Sequence, residues 1–167
     1  SAHLEIFERV CSAVHFAHTR GILHLDIKPS NVMLGSHGEV LLVDWGIAVS
    51  IRAEDRGDVP LATDLSSPCG TPGYMAPEQA LGETDAIEPR TDVYSLGAIL
   101  FEILTGDAPH ALLQSYTPSQ IQRWQRRVSH AGTVAGQESV SSLTSLHTLG
   151  HHEKTMKLLA RVIAGII

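Results

Sequence analysis

One short stretch concentrates reactive groups: His24-Leu25-Asp26-Ile27-Lys28-Pro29-Ser30-Asn31, followed after an apolar run by Asp44-Trp45-Gly46. Asp26 is of a type that takes a proton from an attacking hydroxyl, and Lys28 offsets phosphate charge. Asn31 and Asp44 offer the hard oxygen ligands that Mg²⁺ prefers. Pro29 fixes its own φ and biases Lys28 away from helix, so the stretch is stiff enough to hold its groups in place. The set suits the handling of a phosphate and its metal, provided a turn and a strand end bring the groups to one point.

The elements that must position them are legible on either side. Leu4, Phe7, Val10, Cys11, Val14 and Ala17 recur at helical spacing, and Arg20-Gly21 supplies a stop. Val32-Met33-Leu34 and Val40-Leu41-Leu42-Val43, joined by Gly35-Ser36-His37-Gly38, predict a β-hairpin that sets Asn31 beside Asp44. Residues 48–67 turn polar and read as a mobile surface segment. Thr91-Asp92-Val93-Tyr94-Ser95-Leu96-Gly97 opens a further helix, apolar on most sides except at Glu102 and ended by Gly106. Asp92 is placed there as an N-cap or as a ligand of backbone elsewhere.

Bulk composition narrows the function classes. The chain has 167 residues, 43% hydrophobic and 18% charged, with a net charge of −6 and no basic run. Nucleic acid is therefore not an expected partner. Cys11 and Cys69 show neither metal spacing nor a disulfide framework, which points to a reducing, cytoplasmic setting. No secretory leader opens the sequence, and no apolar run reaches bilayer length; Met156 to Ile167 is short and carries Arg161.

The two motifs resemble the catalytic and metal-binding loops of protein kinases of the bacterial serine/threonine type. That family's pattern is H-R-D-x-x-x-x-N followed by D-F-G. Leu25 stands in place of the arginine and Trp45 in place of the phenylalanine. Gly70-Thr71-Pro72-Gly73-Tyr74-Met75-Ala76-Pro77-Glu78 resembles the peptide-docking segment, and Thr91 to Gly97 the start of the central helix. The resemblance implies catalytic roles for Asp26, Lys28 and Thr71. It implies nucleotide contacts for Lys28, Ser30, Asn31, Met33 and Asp44, and magnesium held by Asn31 and Asp44. ATP and Mg²⁺ are then the expected cofactors and a protein Ser/Thr hydroxyl the acceptor. His24 is expected to pack beneath the metal-binding loop, Asp92 to bind the catalytic-loop backbone, and Glu78 to pair with a distant arginine. Met33 fits a nucleobase floor and plain core packing equally well. Thr63, Ser66 and Ser67 are candidate phosphorylation sites, but the arginine that would receive such a phosphate is Leu25, so a loop without a switch is favoured.

The resemblance is clear over residues 4–112 and weak over 113–167. No glycine-rich phosphate loop, V-A-I-K-type lysine or matching glutamate is present. A complete kinase needs roughly 250 residues or more. The expected fold is mainly α with short β-hairpins: the C-terminal lobe of a kinase, its N-terminal lobe missing and required as partner. By itself residues 1–167 should transfer phosphate negligibly. Two alternatives remain open: a small-molecule phosphotransferase of the aminoglycoside or choline kinase type, and a pseudokinase-like binding module. Beyond Leu113, Ile121, Trp124 and Val128 share a helical face, residues 129–150 read as loop, and His147, His151 and His152 lack a metal pattern. Arg161 is the candidate partner for Glu78 by distance alone.

Overall fold

The computed structural model describes residues 2–54 and 57–109. Helix α1 spans Ala2–Thr19 and buries Phe7, Val10, Cys11, Val14 and Ala17, the face that the periodicity predicts. It stops where glycine allows: Gly21 takes φ +72° and donates its N–H to the His18 carbonyl at 2.9 Å. Strand β1 (Ile22–Leu23) then leads into the reactive stretch. A short 3₁₀ turn over Pro29–Asn31 follows, with proline at the position where its missing N–H costs nothing.

Strands β2 (Val32–Leu34) and β3 (Val40–Leu42) form the expected antiparallel hairpin, Met33 opposite Leu41. Val32, Val40 and Leu42 lean on the main core, whereas Met33 is 56% exposed on the other face. Plain core packing is thereby set aside for Met33. Strand β4 (Val49–Ser50) returns to pair with β1, Leu23 opposite Val49. The polar segment is therefore not loose throughout: Ser50 also bridges to Leu61, and a 3₁₀ turn covers Ala62–Asp64.

Helix α2 (Pro77–Leu81) and helix α3 (Pro89–Thr105) both begin on proline. Helix α3 thus starts before Thr91, and Asp92 lies within its first turns; the N-cap reading of Asp92 is corrected, because Pro89 is a better first residue. Residues Thr91 to Ile99 are all buried, as a helix apolar on most sides requires. Phe7, Val10 and Val14 of α1 meet Val93, Leu96 and Ile99 of α3, with Ile27 and Tyr74 completing the main core. Each fully buried side chain of this kind contributes about 1.5–3 kcal/mol. Glu102, the charge that interrupts α3, accepts a hydrogen bond from the Tyr74 hydroxyl at 2.7 Å.

Among the described residues, no helix is long and apolar enough to cross a membrane. The helical face at Ile121, Trp124 and Val128, the loop 129–150, the three late histidines and the run from Met156 to Ile167 lie outside the described residues, as does Arg161.

Candidate active site

The reactive stretch is held from below by one buried carboxylate. Asp92, 1% exposed, accepts the backbone N–H of His24 at 2.9 Å and that of Leu25 at 2.9 Å. It also accepts from His18 Nε2 at 2.8 Å. A carboxylate only accepts, so His18 presents Nε2–H. Sequence reading had not singled out His18, although it lies four residues past Val14 on the apolar face of α1. His24 uses both ring nitrogens: Nε2 faces the Val43 carbonyl at 3.1 Å, and Nδ1 receives the Asp26 N–H at 3.2 Å. The Trp45 ring sits on it, centroids 4.5 Å apart. His24 therefore packs beneath the Asp44-Trp45-Gly46 bend.

Above this frame, Asp26, Lys28 and Thr71 form a closed triangle. Lys28 Nζ donates to Asp26 Oδ2 at 2.7 Å and to Thr71 Oγ1 at 2.8 Å. Thr71 Oγ1 donates to Asp26 Oδ1 at 2.6 Å. Asn31, 5% exposed, donates its amide to the Asp26 carbonyl at 2.9 Å and to Oδ2 at 3.3 Å. Those bonds use the amide nitrogen and leave the amide oxygen as an acceptor. Thr71 comes from far along the chain, so this geometry ties the loop before α2 to the reactive stretch.

Asp44 stands apart from the triangle. The ladder β2–β3 ends with the Val43 N–H on the Asn31 carbonyl at 2.9 Å, which puts Asp44 one residue beyond Asn31's partner. Asp44 is exposed, at φ +65°. Its Oδ1 lies 3.3 Å from where a Gly46 side chain would begin, so glycine leaves the carboxylate room to turn back. Ser30 is exposed and takes no part in the cluster. Among the described residues, no three His, Cys, Asp or Glu side chains group as a metal cage. Asn31 and Asp44 instead offer two hard oxygens, the Asn31 amide oxygen and the exposed Asp44 carboxylate. That fits magnesium, which takes one or two protein ligands and completes its shell with phosphates and water.

Two free thiols flank this architecture, Cys11 buried and Cys69 half-buried. Burial pushes Cys11 up to about 11. Burial, and then the charge of Asp26, pushes Cys69 up. Glu78 accepts the Thr91 hydroxyl at 2.7 Å, a partner the sequence did not suggest.

The triangle and the hairpin stand on one helical core, as the resemblance to protein kinases implies. Comparison with known proteins agrees: the protein kinase domain model matches residues 2–163, and the chain belongs to the protein kinase family. It is similar to the serine/threonine-protein kinase PknD of Protochlamydia amoebophila (strain UWE25), 40% identical over 119 residues, 65% of this chain and 12% of that protein. PknD of Chlamydia felis (strain Fe/C-56) is 42% identical over 118 residues, covering 64% and 12%. PknB of Mycolicibacterium smegmatis is 43% identical over 106 residues, covering 64% and 16%. The matched part is thus a small share of each relative.

Proposed function

We propose that the protein carrying this chain transfers the γ-phosphoryl group of ATP to serine or threonine hydroxyls of a protein. The carrying observation is the triangle of Asp26, Lys28 and Thr71. A carboxylate has about four acceptor positions. Among the described residues, Lys28 and Asn31 occupy Oδ2 while Oδ1 takes only Thr71, so Oδ1 keeps room for a substrate hydroxyl. There Asp26 orients the hydroxyl and accepts its proton as the oxygen attacks. Lys28, already at the carboxylate, offsets charge on the moving phosphoryl group. Asn31 and Asp44 would hold magnesium, which supplies charge neutralisation at the phosphates.

Met33 is free for a nucleobase contact: its side chain is 56% exposed on β2, the strand that follows the turn ending at Asn31. Residues 2–109 serve as the helical lower lobe, and a lobe outside this sequence closes over the nucleotide. The free thiols at Cys11 and Cys69 suit a reducing cytoplasm.

The test is transfer of label from [γ-³²P]ATP with magnesium to a mixture of Ser/Thr peptides by the full-length protein, followed by phosphoamino-acid analysis. Phosphoserine or phosphothreonine is the expected product. Label found only on aminoglycoside or choline, or nucleotide binding without transfer, would replace this reading.

A further inference from the structure

Leu25 immediately precedes Asp26 and, among the described residues, is the more demanding of two non-glycine residues with positive φ, at +65° and 1% exposed. A bulky residue holds that conformation only where its surroundings over-determine it. The structure shows how. The Leu25 N–H is taken by Asp92, and the Leu25 carbonyl accepts from Gln79 Nε2 at 2.7 Å. Gln79 is 2% exposed and both ends of its amide are engaged: Nε2 also donates to the Cys69 carbonyl at 3.1 Å, and Oε1 accepts the Ala76 N–H at 3.0 Å. One side chain therefore joins the backbone before Asp26 to both flanks of Thr71. Gly70 confirms how close the approach is, since a Cβ there would meet the Leu25 carbonyl oxygen at 2.8 Å. The Leu25 side chain packs with Val49, Ala62 and Ile87, with Leu65 and Cys69 against them, so the polar segment is held by apolar contact as well.

We propose that Gln79 is a positioning residue: with Asp92 it clamps Leu25, aims Asp26 and fixes its distance to Thr71, with no phosphate on the segment. The proposal rests on the phosphotransfer reading above. A neutral amide and an apolar cluster stand where a phosphate–arginine pair would need the side chain that Leu25 lacks.

The experiment compares unphosphorylated full-length wild type with Gln79→Met and Gln79→Glu, reading kcat, peptide KM and nucleotide KM across pH. Gln79→Met keeps the volume and removes all three bonds. Its kcat should fall at least about tenfold at all pH values, because a small misaim of a catalytic group is that costly. Gln79→Glu sets a carboxylate against two carbonyls, beside the Cys69 thiol and Asp26. It should be as poor at neutral pH and should recover towards acid pH, where protonation restores one donor and the wild type gains nothing. Nucleotide KM should stay put in both. A Gln79→Met kcat within about twofold of wild type overturns the proposal. Hydrogen exchange on wild type needs neither folding of a variant nor activity. The Leu25 and Ala76 amides should exchange as slowly as the core of α3; exchange at loop rates overturns the clamp. Absence of wild-type transfer would instead count against the phosphotransfer reading, with the exchange result still deciding the clamp.

Discussion

Two aspartates show how differently the fold uses one side chain. Asp92 sits at the bottom of the site, 1% exposed, with both oxygens committed to His18 and to the backbone of His24 and Leu25. Asp44 sits at the open end of the hairpin, exposed and at φ +65°. The buried carboxylate stabilises backbone geometry and, sealed from solvent, is out of a substrate's reach. The exposed one retains its lone pairs, which is what a cation needs. Asp26 lies between them, anchored on three sides yet open on Oδ1.

That contrast breaks cleanly under substitution. Asp92→Ala should cost about 3–5 kcal/mol of stability, since it strands two buried N–H groups. Denaturant melts would show it; an unchanged midpoint would deny Asp92 its supporting role. Asp44→Asn should do the opposite. Its melt should stay within about 0.5 kcal/mol of wild type, as for an exposed site, while kcat falls at least about tenfold for want of a metal ligand. Excess Mg²⁺ should recover part of the loss.

A smaller effect sharpens the role of the other partnered carboxylate. Burial, then the Glu102 hydrogen bond, raises the Tyr74 phenol above its ordinary range. The folded state therefore keeps a proton that the unfolded chain releases above about pH 10. Tyr74 contributes full stability below that pH and loses it as pH rises further. Tyr74→Phe should cost about 1 kcal/mol at neutral pH and flatten the alkaline fall in midpoint. The smallest expected effect is none: Thr63, Ser66 and Ser67 changed together to Ala should leave kcat unchanged in a steady-state peptide assay.

Local spacing made much of this legible. Asp26, Lys28 and Asn31 fall within one stiff stretch, whereas β2 and β3 are apolar at every position, so the sequence leaves the face of Met33 open. Thr71 was readable because its whole block has a recognisable order. The rest depended on pairs far apart in the chain. Gln79 reaches Leu25 across 54 positions and His18 reaches Asp92 across 74, and no periodicity reports such contacts. Strands β1 and β4 are two residues each, too short to show alternation. The start of α3 was displaced because Thr91-Asp92 resembles a cap, while Pro89 was the stronger signal. Glu78 was assigned a distant arginine, and the partner found among the described residues is the nearer Thr91 hydroxyl.

The central claim is that Asp26 performs chemistry on a frame that stands without it. Single-turnover phosphoryl transfer by full-length wild type and Asp26→Asn, run beside nucleotide binding and thermal melts, tests it most directly. The account predicts a rate lower by at least about a hundredfold, as for loss of a general base, with nucleotide affinity and melting midpoint nearly unchanged. A variant that transfers phosphate at close to the wild-type rate would contradict it.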